Sequence, residues 1–320
     1  MGIQNTASFG APHVSVSVVI PCYRCADTIG RAVKSIAMQS QLPEAVILID
    51  DLSGDRTLEQ LYLLQAQYPA GWIQVIAKPQ NDGPGATRNA GWNAATTTYI
   101  AFLDADDSWH PRKIELQYRL MADNPQLALT GHRGGQMETT GQPVDDPSLS
   151  SSSTGLARAV SKNRLLLFNE FITRSVMLRR DLPQRFEPKK KYCEDYLLWM
   201  QILFAGHPAS VLEVPLAFAY KADFGEGGLS QQVWRMEQGE LDSYRRIFRE
   251  QHIGMVTAIP IYLFSLAKFV RRYLRSKLRQ WNLHEQKHQQ QGRHGGNGVE
   301  SEAVLQRNDS AMTLSCARAV

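Results

Sequence analysis

Between Ser15 and about Leu129 the chain places four runs rich in β-branched residues and mostly apolar on consecutive positions, SVSVVI (15–20), AVILI (45–49), WIQVIA (72–77) and YIAFL (99–103). A strand with one wet face alternates apolar and polar residues, whereas an unbroken, largely β-branched run needs cover on both faces. The pattern predicts a parallel sheet with helices above and below, an α/β doubly wound arrangement. The segments between the runs fit helices. Asp27 is the expected N-cap of one whose Ile29, Val33, Ile36 and Ala37 share a face, and Leu58, Leu61, Leu64 and Tyr68 make a second stripe.

The second half is less regular. Residues 144–155 are rich in Ser, Asp and Pro and read as a loop. A strand is expected near 175–178, a basic loop at 187–192, and a helix from near Glu194 with Leu198, Ile202 and Ala205 toward a core. From about Asn282 the apolar period ends in Gln, His, Gly and Asn, so 282–320 is expected to be disordered. Hydrophobic residues make up 43% of the 320 and the net charge is +4, which excludes a wholly disordered chain. Cysteines 22, 25, 193 and 316 are too scattered to staple the chain and read as reduced thiols of a cytoplasmic protein. Cys22-x-x-Cys25 lacks the second pair that a zinc site needs. The first residues carry no secretory leader, and no window offers the roughly 20 apolar residues of a membrane span.

In an open parallel sheet, ligands bind beyond the carboxyl ends of the strands. Strand one ends at Pro21, Cys22 and Tyr23, and strand two at Asp50 and Asp51. Strand three leads into NDGPGATRN (81–89), and strand four ends at Asp104, Ala105, Asp106 and Asp107. Carboxylates on neighbouring strand ends repel one another unless a cation or donor lies among them. Side chains at i and i+2 just past a strand can share one divalent ion, leaving the rest of its oxygen shell to water and phosphate. Asp104 and Asp106 are therefore the candidate metal pair. The alternative is that Asp104 or Asp107 caps the helix opening near His110 and Pro111.

In this order and spacing, VSVVIPCY, VILIDDLSGD, GPGATRNAGWNAA and YIAFLDADD, followed by CEDYLLWMQILFAG (193–206), resemble a family 2 glycosyltransferase. The resemblance implies a GT-A type doubly wound, mostly parallel sheet flanked by helices. It implies domain 14–250, with 14–130 binding the nucleotide sugar and 131–250 facing the acceptor. Residues 1–13 would be a flexible lead, 251–281 a basic amphipathic helical segment and 282–320 the tail. Pro21 and Tyr23 would flank the donor's base, and Asp51 would accept a hydrogen bond from a uracil-type ring. Gly83 and Gly85 would let the backbone approach the ligand, Arg88 would set a cation near base or phosphates, and Asp104 and Ala105 would line the ribose side. Asp106, with Asp104, would hold Mg2+ or Mn2+. Asp195 would be the general base of an inverting transfer, supported by Glu194 beside it. Arg24 and Leu52 depart from the Asn and Gly usual in the family, and no histidine in 220–230 offers a third metal ligand.

Residues 261–279 hold six basic residues and no acidic one. On a helix, Tyr262, Leu266, Phe269, Val270, Tyr273 and Leu274 line one side. Lys268, Arg271, Arg272, Arg275 and Arg279 are the candidate contacts to an anionic membrane surface. The other reading is a helix packed on the domain with a solvated basic face. No motif reads nucleic acid. The expected function is transfer of a sugar, from a UDP-sugar in the first instance, to a glycan or lipid-linked acceptor of surface polysaccharide, at the inner face of the cell membrane. Asp104, Asp106 and Ser108 also fit a DxDxS phosphohydrolase, although such a motif normally opens its domain. A non-catalytic nucleotide-sugar-binding relative is the third reading.

Overall fold

The computed structural model describes residues 10–137, 157–220 and 232–274. The loop at 144–155, the tail at 282–320 and basic residues Arg275 and Arg279 lie outside the described residues. The chain divides into two compact units between Leu266 and Ala267.

The first half winds as its apolar runs predict. β1 (His13–Cys22), β2 (Leu42–Asp50), β3 (Ile73–Ala77) and β4 (Tyr99–Phe102) pair in parallel in the order β3-β2-β1-β4. β1 and β4 are buried on both faces over most of their length, whereas the edge strand β3 exposes Gln74 and Ala77. Val16, Val18 and Ile20 pack in one core with Ile29, Val33 and Ile36 of α1 (Ile29–Ala37), while Val19, Ile47 and Ile49 join a second core on the other face. Each aliphatic side chain so buried contributes about 1.5–3 kcal/mol. The second core includes Trp92 of α3 (Gly83–Ala94). α3 lies so close to the sheet that a Cβ on Gly91 would sit 2.5 Å from Val19 Cγ1 and 2.7 Å from Ile49 Cδ1.

Two local expectations need correction. The N-cap of α1 is Thr28, not Asp27, and neither makes a side-chain capping bond; the turn is instead closed by the Thr28 and Ile29 amides donating to the Cys25 carbonyl. In α2 (Thr57–Gln67), Leu61 and Leu64 are buried and Leu58 is half-buried, while Tyr68 falls just past the helix end.

Beyond β4 the sheet becomes mixed. β8 (Met177–Arg179) runs antiparallel to β4 and to β6 (Leu129–Gln136), and β6 runs parallel to β9 (Ala209–Ala219). The short β5 (Ser108–Trp109) and β7 (Ala157–Ala159) both pair antiparallel with β9. α4 (Lys113–Asp123) and α5 (Lys162–Leu167) flank this half. α6 (Glu194–Phe204) buries Leu198 and Ile202, but Ala205 lies past its end and is exposed. It packs beside α7 (Val233–Arg249) through an edge-on pair of Tyr196 and Tyr244. Within the expected basic loop, Lys190 is buried and donates to the Gly239 carbonyl and Asp242. Residues 255–274 are helical. No described helix is long and apolar enough to cross a membrane.

Candidate active site

The strand ends converge on α3. Gly83 opens that helix at φ +84°, a conformation that glycine adopts without cost, and Pro84 follows at its first turn. The exposed N–H groups are closed from another strand. Asp51, just past β2, accepts from the Gly83 amide at 2.9 Å and the Asp82 amide at 3.1 Å. It also pairs with Lys78 at 2.6 Å, and its side chain is only 5% exposed. The helix end that could have held a phosphate thus already holds a carboxylate. Asn81 ties the same turn to the Asp51 carbonyl.

One turn into α3, Arg88 joins the two halves of the molecule. Its guanidinium is buried and donates to Asp104 at 2.8 Å and to Glu194, at the start of α6, at 3.0 Å. Phe186 lies under it, 5.5 Å from ring centre to Cζ. Gly85 clears the space, since a Cβ there would meet Glu194 Cγ at 3.2 Å and Phe186 Cβ at 3.3 Å. Burial, then repulsion from Asp195, raises the Glu194 carboxyl to about 7 against the opposing pull of Arg88.

Asp104 and Asp106 are half-buried, and neither caps α4, whose N-cap is Arg112. Asp107 turns inward instead. Burial, with Asp104 and Asp106 nearby, pushes it up to about 8 although Arg174 stands 3.5 Å away. Among the described residues no group of three or more His, Cys, Asp or Glu is placed to hold an ion. Two half-exposed carboxylates that a diphosphate could complete nonetheless suit Mg2+ or Mn2+, which take one or two carboxylates plus phosphate and water.

Across this space Asp195 is half-buried, with Oδ2 accepting from the Thr173 hydroxyl at 2.7 Å and Oδ1 from the Tyr196 amide at 2.7 Å. Pro21 is half-buried and Tyr23 is 48% exposed at the end of β1, on the same side of the sheet as Asp51. Ala105 is buried between the two metal candidates. A recess of about 420 Å³ lined by Phe186, Glu187, Gln201 and His252 lies toward the far end of α6 and includes none of these residues.

With that geometry in place, comparison is decisive: the sequence profile described as Glycosyl transferase family 2 matches residues 17–182, just over half of the chain. The chain belongs to glycosyl transferase family 2. Across 282 residues this glycosyltransferase is 28% identical to the succinoglycan biosynthesis protein ExoO of Rhizobium meliloti, covering 84% of this chain and 72% of that one. It is 26% identical over 188 residues to the UDP-Glc:alpha-D-GlcNAc-diphosphoundecaprenol beta-1,3-glucosyltransferase WfgD of Escherichia coli, covering 59% and 69%. Its fold matches that of the mannosyltransferase PcManGT from Pyrobaculum calidifontis, solved with GDP-Man and Mn2+, at a TM-score of 0.54 and 16% identity, over 80% of this chain and 75% of that one.

The two departures from the family pattern are conformational. Arg24 (φ +49°) and Leu52 (φ +53°) both occupy the left-handed region, as does Cys193 (φ +55°) just before Glu194. These are three of the four non-glycine residues at positive φ among the described residues, and all three flank the site. Ser53 braces the first two, accepting from the Arg24 amide and donating to Asp50. Sequence reasoning missed Lys78, Thr173, Arg174 and Phe186. Lys78 follows β3 directly and was open to the same strand-end logic; Thr173 and Phe186 carry no local signal.

Proposed function

We propose that this glycosyltransferase carries out an inverting transfer of a hexose from a nucleotide diphosphate sugar, with UDP-sugars the first candidates, to a hydroxyl of a glycan or lipid-linked acceptor. The observation that carries the reading is the single buried guanidinium joining Asp104 to the first turn of α6. On this reading the carboxylates suited to a cation-bound diphosphate and the half-buried Asp195, next to Glu194 in the chain, serve one donor and its acceptor. Donor contacts are assigned to Pro21, Tyr23, Asp51, Gly83, Asp104 and Ala105. Arg88 acts on the donor through Asp104, and Asp51 through the α3 turn that it fixes.

In this reaction Asp195 takes the proton of the acceptor hydroxyl. The acceptor oxygen bonds to the anomeric carbon as the bond from that carbon to the diphosphate breaks on the opposite face, and the electron pair leaves with the nucleoside diphosphate. Thr173 and the Tyr196 amide fix the carboxylate while leaving lone pairs for that proton. Asp106 and Asp104 would hold a divalent cation, which when bound would supply charge neutralisation for the leaving diphosphate. The name of the glucosyltransferase relative supports both the UDP-sugar and a lipid-linked acceptor. The succinoglycan biosynthesis relative supports a place in surface polysaccharide synthesis, and work at the inner face of the cell membrane is part of the same proposal. The phosphohydrolase reading needs Asp104 as a free nucleophile, and Asp104 is instead paired with Arg88 at the end of the fourth strand.

The test is incubation with a panel of UDP-sugars, Mg2+ or Mn2+, and acceptor-bearing lipid extracts, following release of nucleoside diphosphate. Asp195→Asn is expected to lower transfer by about 10²–10⁴-fold while donor binding by calorimetry is unchanged. Equal turnover of Asp195→Asn and wild type removes the base assignment. Phosphate release from a monoester without nucleoside diphosphate overturns the transfer itself.

A further inference from the structure

The helical segment that follows α7 has two faces, and only one is used by the fold. Ala258, Ile261 and Ser265 are buried, with Ser265 donating to Glu237 and Glu240 of α7. On the other face Met255, Val256, Ile259, Leu263 and Leu266 stand 49–89% exposed at helical spacing. Solvent-exposed aliphatic side chains in such a row are unusual on a soluble surface. The row also continues toward the candidate base. Phe264 packs edge-on to Phe168 at 5.7 Å, Phe168 is itself 47% exposed, and Ile172 is 37% exposed immediately before Thr173, which holds Asp195.

We infer that this apolar ledge, from residue 255 to 266 and across Phe168 to Ile172, seats in the surface of an anionic lipid bilayer and presents the mouth beside Asp195 to acceptors carried there. The inference rests on the proposed transfer to a lipid-linked acceptor and names the surface from which that acceptor arrives. Charge selects the occupant. Downstream residues 267–279 add Lys268, Arg271, Arg272, Arg275, Lys277 and Arg279 with no acidic residue. Two copies of such a segment facing one another would repel, whereas anionic headgroups attract it. Interfacial helices bury an apolar face at the boundary of headgroup and acyl chain and hold basic residues at the headgroups, which this sequence and this exposure pattern match.

The full chain is tested by flotation with phosphatidylcholine vesicles, with and without phosphatidylglycerol, beside light scattering and UDP calorimetry on the same samples. Wild type is expected to float with phosphatidylglycerol vesicles and to be released by salt. The triple variant Ile259→Ser, Leu263→Ser, Leu266→Ser is expected to lose partitioning by about a hundred-fold. Lys268→Gln, Arg271→Gln, Arg272→Gln, which touches no apolar residue, is expected to lose a similar amount. Both should keep UDP binding and wild-type circular dichroism. Flotation of the serine variant equal to wild type, failure of wild type to float, or a wild-type dimer that the serine substitutions dissociate each overturns the inference. UDP calorimetry keeps these results distinct from failure of the transfer reading, because absent UDP binding alongside intact flotation counts against the donor site alone.

Discussion

Asp51 and Asp195 are both carboxylates just past a strand or at a helix start, yet the fold treats them differently. Asp51 is enclosed by Lys78 and the amides of residues 82 and 83, all within 27–32 residues of it along the chain. Both its oxygens serve the turn into α3, so architecture and any donor contact are one arrangement there. Asp195, among the described residues, accepts from the Thr173 hydroxyl and its neighbour's amide and stays half-buried. The first half encloses Asp51 with groups nearby in sequence; the second leaves Asp195, the proposed base, partly open. The link between them spans 106 residues, from Arg88 to Glu194.

The sharpest way to break that contrast is to cut the link. Arg88→Met keeps much of the aliphatic stem but leaves Glu194 and Asp104 without their cation. Because the Glu194 carboxyl, already raised to about 7, can take a proton instead of staying charged, the cost is expected toward the lower end of the about 3–5 kcal/mol typical of broken buried pairs. The urea unfolding midpoint should fall accordingly, and Arg88→Met combined with Glu194→Gln should regain part of the loss. A loss below about 1 kcal/mol for the single change, or strict additivity in the double, means that the two halves are not coupled through this residue.

Less drastic is a change of pH. The Glu194 carboxyl ordinarily titrates near 4.5 and is raised to about 7 in the fold by burial, then by Asp195. The folded state therefore holds a proton that the unfolded chain releases between those values, and stability falls as pH rises through that window. The share from this group is roughly 1–3 kcal/mol. Asp107, ordinarily near 3.8 and raised to about 8, pulls in the same direction over a wider window. Glu194→Gln should flatten the fall between about pH 4.5 and 7 in thermal or urea melts and leave the Asp107 share in place. An unaltered pH profile in Glu194→Gln would show that the glutamate is already ionised throughout.

The same contrast governs what the sequence disclosed. Four continuous apolar runs specify the parallel half because each residue must be buried on one face or the other, and β1 to β4 follow them closely. The mixed half was obscure because β5, β7 and β8 have only two or three residues each and its pairings cross long separations, as β4 does with β8 and β6 with β9. Asp104 and Asp106 stood out as residue types at a strand end, and Asp195 through the family resemblance. Arg88's double pairing did not, since nothing local marks a partner on a distant helix. That Asp51 closes α3 was equally hidden, because a capping residue is sought just before its helix and not at the end of another strand.

The smallest effect separates the halves through a strain that they share. Leu52 and Cys193 hold almost the same left-handed backbone, one in each half, and a non-glycine residue there costs roughly 1–2 kcal/mol. Glycine would relieve that cost and lose about 0.5–1 kcal/mol through the greater freedom of the unfolded chain. Leu52 is 52% exposed, so its side chain gives up little on removal. Leu52→Gly should raise stability by a few tenths to about 1 kcal/mol. The Cys193 side chain packs against the main core, and its thiol contacts the Met236 carbonyl, so Cys193→Gly forfeits burial worth about 1 kcal/mol or more. Its relief should be cancelled or reversed. Melting the two variants side by side tests the pairing: an equal gain from both would mean that the Cys193 side chain contributes nothing to the acceptor half, and a loss from Leu52→Gly would mean that the exposed leucine packs on something that its accessibility does not reveal.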